Sequence, residues 1–248
     1  MRMIAVTDEG PFSRAITSDL EDEVRVVDTP WRVRELNPDF LIHTYEVGYY
    51  SRNRAEIWNV NVWRVLNMAR AANSVGATNI FISSFMIFDG NKGMYTENSP
   101  PSPLNYYGVS KLAGEAAVAA LGNYLILRLG LLYGSQIHSI LSGMLRNMTI
   151  GRRTLCPQGF YVSPIGVKSL SKIISELVKA RIKGIFNVAT QRIDLYEFCR
   201  KLGELFGAEP SPVHVRKRDF SLDTWLLGTL GIKVSVNYDI KTTFGADD

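Results

Sequence analysis

The sequence predicts an α/β protein built on a doubly wound parallel sheet, with a small C-terminal substrate lobe. Two observations support this prediction. Short, nearly continuous apolar runs rich in Ile, Val, Leu and Phe are typical of strands that are covered on both faces. These runs alternate with longer segments of helical period, as a parallel sheet with crossover helices requires.

Each element can be read in chain order. The predicted strands cover residues 3–6, 24–27, 40–44, 79–83, 124–129 and 185–189. The predicted helices cover residues 55–72, 112–121, 139–150 and 170–179. Residues 156–159, Cys-Pro-Gln-Gly, are interpreted as a turn, and the Pro-Ser-Pro at 210–212 as a break before a loosely patterned tail.

The change of pattern in the second half predicts two parts. Residues 1–134 form a dinucleotide-binding-type domain, and residues 135–248 form mostly the substrate lobe. The strand near 184–189 is a candidate to return to the main sheet. A chain of 248 residues with 46% apolar residues is long enough to bury a sizeable core.

Composition excludes several function classes. The formal charge of +4 is spread thinly, and the basic run at 216–218 is too short to predict nucleic-acid binding. No apolar run reaches the roughly 18 residues of a membrane span, so we expect a cytoplasmic protein without a membrane partner. Cys156 and Cys199 give neither a disulfide framework nor a metal spacing, and we expect two small side chains that are buried or half-buried. His43, His138 and His214 are scattered, so no metal site is expected.

A Tyr-x-x-x-Lys pair opens an apolar helix. Residues four apart lie on one helix face, so Tyr107 and Lys111 point into the same site. A phenol has a pKa of about 10, and a nearby ammonium lowers that pKa toward the working pH. The hydroxyl of Ser84, at the end of a predicted strand, would bind the same carbonyl oxygen. This set favours carbonyl reduction by a nicotinamide, although the spacing alone also occurs in ordinary helices.

The first strand ends in a turn that holds one glycine of a dinucleotide-binding pattern. Gly10 occupies the middle position, whereas Thr7 and Ser13 stand where the outer glycines would be. Asp8 and Glu9 add negative charge where a pyrophosphate would lie. The turn is therefore either an atypical phosphate-binding turn or a plain strand-to-helix connection.

Four blocks together resemble one family. They cover residues 82–90, residues 101–115 with Tyr-Tyr-Gly-Val-Ser-Lys, residues 126–134, and residues 161–165 with later matches at 184–189 and 221–224. They are similar to blocks of the dTDP-4-dehydrorhamnose reductases, which are extended short-chain dehydrogenases with a Rossmann-like fold. The resemblance covers nearly the whole chain.

The resemblance implies an NAD(P)H-dependent reductase of a 4-keto nucleotide sugar. Tyr107 would donate a proton to the sugar C4 oxygen, Lys111 would lower the pKa of Tyr107 and hold the nicotinamide ribose, and Ser84 would polarise the carbonyl. Asp28, at the end of the second strand, favours NADH. The implied cofactor contacts are Gly10, Phe12, Asp28, Asn61 and Lys111, and the implied substrate contacts are Phe88, Ser163 and Pro164.

Departures from the family pattern leave alternatives open. Besides the atypical first turn, the segment after the second strand is short, Phe-Met replaces Asp-Tyr at 85–86, and His-Thr-Tyr-Glu replaces Asn-Ala-Ala-Ala at 43–46. A non-catalytic or regulatory relative, like the methionine adenosyltransferase β subunit, is the main alternative. A sugar-nucleotide epimerase or dehydratase is the third. A homodimer or a regulatory protein partner fits either of the first two.

Overall fold

A computed structural model describes residues 2–134, 139 and 141–245. Its main feature is a six-stranded sheet in the order β2-β1-β3-β4-β5-β9, in which β1, β2, β3 and β4 pair in parallel. The predicted α/β sheet is thereby confirmed. These strands are β1 (Met3–Val6), β2 (Glu23–Val26), β3 (Phe40–His43), β4 (Thr78–Ser84), β5 (Tyr124–Leu129) and β9 (Gly184–Val188).

Helices connect and flank the strands. Thr29 and Asn105 cap two of these helices at their N-termini with side-chain oxygens, as their residue types favour. The helices are α1 (Pro11–Thr17), α2 (Pro30–Leu36), α3 (Arg54–Trp58), α4 (Val65–Ser74), α5 (Tyr106–Ala119), α6 (Ser142–Thr149), α7 (Val167–Lys179), α8 (Leu195–Phe206), α9 (Trp225–Thr229) and α10 (Val236–Phe244).

The strands at the centre of the sheet are buried on both faces. Ile4, Leu41, Ile42 and Ile80 are fully inaccessible, which accounts for the continuous apolar runs in the sequence. The carboxyl ends of parallel strands meet at one edge of the sheet. In the order β2-β1-β3-β4 the strand β2 is added on one side of β1 and the strands β3 and β4 on the other. Ligands of such sheets bind at this kind of switch point, here between β1 and β3.

Two predicted helices differ from the observed ones. The helix predicted over 55–72 is interrupted by a π-helical turn at Asn59–Arg64, between α3 and α4. A π-helical turn differs from an α-helical turn by one residue in its hydrogen bonding, which hardly changes the spacing of apolar residues. The hydrophobic periodicity of the sequence therefore does not reveal it. The helix predicted from 112 begins at Tyr106, because the Asn105 side chain caps it there. The predicted helix 139–150 is observed as α6, and its residue 140 lies outside the described residues.

The chain divides into two compact units. The first comprises Met1–Phe88, Pro100–Arg128 and Ser171–Phe186, and the second comprises Asp89–Ser99, Leu129–Leu170 and Asn187–Asp248. The second unit contains two small sheets with the strand orders β10-β7-β11 and β6-β8. Their strands are β6 (Leu131–Tyr133), β7 (Leu155–Val162), β8 (Pro164–Gly166), β10 (Ile193–Asp194) and β11 (Ser211–Asp219).

The turn predicted at 156–159 is wrong, because these residues lie in β7. The break predicted at 210–212 is also wrong, because Pro210 only precedes β11 and residues 211 and 212 lie within that strand. Pro157 belongs to β7 at a point where β11 is the paired neighbour, since β10 pairs only with Tyr161 and Val162. Pro212 belongs to β11, which is an edge strand. A proline is tolerated where one side of the strand needs no backbone donor, so its presence alone does not exclude a strand.

The expectation of two separate cysteines is also corrected. Cys156 on β7 and Cys199 on α8 are both fully buried, and they form a disulfide with a Cα–Cα distance of 6.5 Å. Two cysteines 43 residues apart give no spacing pattern, so only the fold brings them together.

The described residues contain neither a helix that could span a membrane nor a metal-binding cluster. Across residues 2–134, 139 and 141–245, no helix combines the length and apolar character needed to cross a bilayer. In the same ranges, no three His, Cys, Asp or Glu side chains lie close enough to hold a metal ion. His138 lies outside the described residues.

Candidate active site

Helix α5 presents Tyr107 and Lys111 in its first turns. The Asn105 side chain accepts a hydrogen bond from the Gly108 amide at 2.8 Å, which fixes where the helix begins. Tyr107 is 9% exposed and Lys111 is 3% exposed. A methyl group on Gly108 would lie 2.2 Å from the Met86 carbonyl oxygen, so only glycine allows the helix this close. The predicted pair therefore lies in a buried, closely packed site.

Ser84 lies at the carboxyl end of β4, next to this helix. Its hydroxyl oxygen accepts a hydrogen bond from the Met86 amide at 3.2 Å, which caps a short 3₁₀ turn at Phe85–Ile87. The Ser84 hydroxyl also forms a hydrogen bond with the phenol of Tyr107. The three residues predicted as catalytic, Ser84, Tyr107 and Lys111, are thus brought together by β4 and α5.

Glu46 is a fourth member of this site, which the sequence did not predict. Its carboxylate accepts a hydrogen bond from Lys111 Nζ at 2.8 Å. The Tyr107 hydroxyl donates to both carboxylate oxygens, each at 3.3 Å. Glu46 belongs to the His-Thr-Tyr-Glu segment that departs from the family pattern. That departure was the only signal in the sequence, and it did not show where the carboxylate points.

The surroundings of Tyr107 favour its protonated form. Burial raises the pKa of the Tyr107 phenol well above its usual value near 10, and the charge and hydrogen bonds of Glu46 raise it further. The hydrogen bond with Ser84 acts in the opposite direction. The expected lowering of this pKa by Lys111 is therefore not found, because the Lys111 ammonium is paired with Glu46 and the phenol stays protonated.

A buried histidine is close enough to Lys111 to be affected by its charge. His43, at the end of β3, is 5% exposed and shares a 3.0 Å hydrogen bond with the Asn79 side chain. Burial, together with repulsion from Lys111, lowers the pKa of His43 to about 4.

The segment that carries Glu46 is fixed at both ends. The Thr7 hydroxyl accepts hydrogen bonds from the Thr44 and Tyr45 amides, both at 2.9 Å. On the other side, the Asn61 side chain accepts from the Val47 amide at 2.8 Å and donates to the Val47 carbonyl at 3.0 Å. Glu46 therefore has a defined backbone position.

Arg64 adds a further contact to this segment. Its guanidinium lies over the Tyr45 ring, 4.8 Å from the ring centroid, and donates to the Thr7 carbonyl at 3.3 Å. Arg64 thus joins Thr7, which replaces a motif glycine, to Tyr45, which replaces a small residue of the family pattern.

The turn after β1 already holds an anionic group. The Asp8 carboxylate accepts hydrogen bonds from the Gly10 amide at 3.1 Å, from the Thr44 hydroxyl at 2.5 Å and from the Ser13 hydroxyl. Three donors that converge on a carboxylate form a cradle that also suits a phosphate oxygen. The donor set of the turn therefore fits a pyrophosphate, and in this structure the chain's own aspartate uses it.

The remaining predicted cofactor residues occupy different settings. Phe12 is half-buried in α1, and Asp28 is exposed between β2 and α2. Asn61 is 1% exposed, and besides holding Val47 its amide donates to the Ser110 hydroxyl at 3.0 Å. In this structure Asn61 therefore joins the Glu46 segment to helix α5.

The predicted substrate residues are divided between the two units. Phe88 is buried in the first unit, beneath the guanidinium of Arg128. In the second unit, the buried Ser163 hydroxyl accepts from the Leu222 amide at 3.1 Å, and Pro164 begins β8.

A pocket of about 480 Å³ opens beside Tyr107. Three further tyrosines and two arginines face it, and the Arg54 guanidinium lies 5.4 Å from the centroid of the Tyr106 ring. The sequence did not predict Arg52 and Arg54 as site residues, because exposed arginines at a helix start are common. The residues that give the pocket its character are Tyr49, Tyr50, Arg52, Arg54 and Tyr106.

A parallel α/β sheet with a Ser, Tyr and Lys set beside its carboxyl edge defines an extended short-chain dehydrogenase fold. The comparison with protein families agrees, because the family model "RmlD substrate binding domain" matches residues 3–221. The chain belongs to this family, that of the dTDP-4-dehydrorhamnose reductases.

Known proteins place it more closely. The methionine adenosyltransferase 2 subunit beta of Rattus norvegicus is 31% identical over 196 residues, which is 70% of this chain and 58% of that protein. The chain thus spans just over half the length of this relative. A hypothetical dTDP-4-dehydrorhamnose reductase from Sulfolobus tokodaii superposes with a TM-score of 0.83 at 26% identity, covering 98% and 99% of the two chains.

The fold also matches that of a dTDP-4-dehydrorhamnose reductase from Bacillus anthracis, crystallised in complex with NADP. That comparison has a TM-score of 0.89 at 22% identity and covers 98% of each chain.

Proposed function

We propose that this chain is an NAD(P)H-dependent reductase of a 4-keto nucleotide sugar. The observation that supports it most is the convergence of Ser84, Tyr107 and Lys111 in one buried site. Each of the three side chains comes from a different position of the β4 and α5 framework, and each has the chemistry that carbonyl reduction needs.

The residues divide the chemistry as follows. A bound reduced nicotinamide supplies the hydride that the carbonyl carbon receives. Ser84 donates a hydrogen bond to the carbonyl oxygen, and Tyr107 gives that oxygen its proton, so that the ketone becomes an alcohol. The protonated state that the site favours for Tyr107 is the state a donor requires.

The cofactor would be held at two ends. The Gly10 amide and the hydroxyls of Ser13 and Thr44 form the donor set for its pyrophosphate, with Phe12 beside them on α1. Lys111 would bind the ribose next to the nicotinamide. Asp28 is exposed after β2, where it is available to a ribose hydroxyl, and this favours NADH.

The pocket beside Tyr107 suits a nucleotide sugar. Arg52 and Arg54 supply positive charge for a diphosphate, and tyrosine rings offer faces on which a base can stack. We assign the nucleotide end of the substrate to this pocket. Phe88, Ser163 and Pro164 remain the proposed sugar contacts, on the strength of the family pattern.

The test is a turnover assay with the purified chain. NADH or NADPH is mixed with 4-keto nucleotide sugars, and both the loss of reduced nicotinamide and the appearance of the 4-hydroxy sugar are followed. We expect stoichiometric conversion of one of the 4-keto sugars. Tight cofactor binding with no conversion of any 4-keto sugar would contradict the substrate assignment.

A second function is favoured by a specific observation. The Asp8 and Glu46 carboxylates occupy the donors of the first turn and the ammonium of Lys111, as expected of a relative that works without cofactor. Such a chain would serve as a partner subunit, as the name of the rat relative implies for that protein. Absence of cofactor binding, together with a stable complex with a methionine adenosyltransferase catalytic subunit, would favour this function over the reductase.

A further inference from the structure

We propose that Glu46 is an internal competitor of the cofactor, which holds Lys111 and Tyr107 until ribose hydroxyls replace its carboxylate. The inference rests on the proposed function and adds a means of regulation to the same site. Its basis is geometric: one carboxylate contacts both the lysine and the tyrosine of the predicted catalytic pair.

The position of Glu46 is built rather than accidental. Thr7 holds the two backbone amides before it, and Asn61 holds both backbone groups of Val47 after it. These anchors fix the backbone of the segment, so the short glutamate side chain is directed at Lys111. Replacing a small family residue by glutamate at an unanchored loop would not give this result.

The contact is also able to open. The Lys111 side chain is 4% exposed, whereas the Glu46 side chain is 36% exposed, so solvent reaches the carboxylate. A ligand can therefore reach the carboxylate and take its place beside the buried Lys111 ammonium. The cofactor therefore has to displace one side chain, with the anchored backbone left in place.

The first turn repeats the same arrangement with Asp8. Its carboxylate takes the amide and hydroxyl donors that a pyrophosphate would need. Two internal carboxylates thus lie at the two proposed cofactor-binding ends. They are linked through Thr44, whose amide donates to Thr7 and whose hydroxyl donates to Asp8. The two carboxylates are therefore substituted one at a time.

The experiment measures cofactor binding to Glu46→Gln and Glu46→Ala by nicotinamide fluorescence, with NADH and NADPH as probes. Glu56→Gln is the matched control, because Glu56 is exposed on α3 and does not face the pocket. We expect both Glu46 variants to bind about five- to tenfold more tightly than the parent, and Glu56→Gln to bind like the parent. Asp8→Asn is expected to tighten binding in the same direction.

A second readout does not depend on the cofactor. Tyrosinate absorbance is followed with pH in Glu46→Gln and in Glu46→Gln/Tyr107→Phe, so that the difference isolates Tyr107. Removing the carboxylate charge lowers the pKa of Tyr107, so its ionisation should occur at a lower pH than in the parent.

The possible outcomes distinguish a failure of the competitor role of Glu46 from a failure of the proposed reductase function. Parent binding that is unchanged or weakened by both Glu46 substitutions overturns the competitor role and leaves the reductase standing. If neither the parent nor any variant binds cofactor, the proposed function and the competitor role both fail. An unchanged Tyr107 titration in Glu46→Gln also overturns the role, because the contact would then be absent in solution.

Discussion

The candidate site has a catalytic side, formed by β4 and α5, and a cofactor side, formed by the turn after β1 and the segment after β3. The two sides differ in how well they match the family pattern. On the catalytic side, Ser84, Tyr107 and Lys111 have the residue types and placement of a carbonyl-reducing site. On the cofactor side, two positions that favour glycine or a small residue hold Thr7 and Glu46, and Asp8 lies between the donors of the turn. On the proposed function, one fold therefore combines a carbonyl-reducing residue set with a cofactor side whose donors are taken by the chain's own carboxylates.

The comparison shows that the departures belong to one network. Thr7 accepts from the Thr44 and Tyr45 amides, the Thr44 hydroxyl donates to Asp8, and Arg64 joins Thr7 to Tyr45. In the sequence these look like separate losses. In the structure the replacements at Thr7, Thr44 and Tyr45 are in contact with one another, and Asp8 joins them through the Thr44 hydroxyl.

The largest effect is expected on the catalytic side. Tyr107→Phe removes the proton donor and should lower kcat by about 10²- to 10⁴-fold, since general acid catalysis contributes that much. Steady-state turnover with saturating cofactor measures it. Tyr238→Phe, an exposed tyrosine on α10, is the control and should match the parent. Equal turnover of parent and Tyr107→Phe would mean that another group supplies the proton.

His43 tests how the buried surroundings of the site affect the stability of the fold at different pH values. Its pKa is lowered from 6.5 to about 4 in the folded chain, so between these values the unfolded state binds the extra proton. Stability should therefore fall as pH drops through that window, by about 3 kcal/mol in total. Denaturant unfolding at several pH values measures this loss, and His43→Gln should reduce it. His214→Gln, at an exposed position, should not.

Thr7→Val tests whether the Thr7 hydroxyl holds the Glu46 segment in place. The variant keeps the shape of the side chain but removes the acceptor of two backbone amides, so the free energy of unfolding should fall by about 2 kcal/mol. Thr17→Val is the matched control, since that hydroxyl only donates to carbonyls of its own helix. Urea unfolding of the two variants decides it. Equal stability would show that Thr7 does not hold the Glu46 segment.

The smallest effect is expected at the pocket. Arg54→Gln should raise the KM for a nucleotide sugar about tenfold and leave kcat unchanged, because a lost charge-assisted hydrogen bond costs about 1.4 kcal/mol or more. Arg70→Gln, exposed on α4, serves as the control. A fall in kcat with constant KM would place Arg54 in the chemical step instead of in substrate binding.

Much of this arrangement was readable from the sequence. Apolar runs predicted the main sheet, because buried parallel strands need both faces apolar. Helix spacing predicted that Tyr107 and Lys111 share a face, because residues four apart always do. These features depend on residues that are close in the chain.

Other features depend on contacts between distant segments. Glu46 meets Lys111 across 65 residues, and Cys156 meets Cys199 across 43. The sequence rule that a proline breaks a strand fails at Pro157 and Pro212. A strand tolerates a proline where no neighbouring strand needs its backbone donor, and this depends on the pairing of distant strands. No local pattern encodes these contacts, so the fold had to reveal them.

A titration of the unmodified chain with NADH and with NADPH, followed by nicotinamide fluorescence, shows directly whether the cofactor side binds a nicotinamide. A working but self-occupied cofactor side predicts saturable binding with a Kd below about 1 mM, or at least about 4 kcal/mol of binding free energy. Fluorescence that does not change at millimolar cofactor would contradict the reductase. Tyr107 and Lys111 would then be retained for packing or for a protein partner.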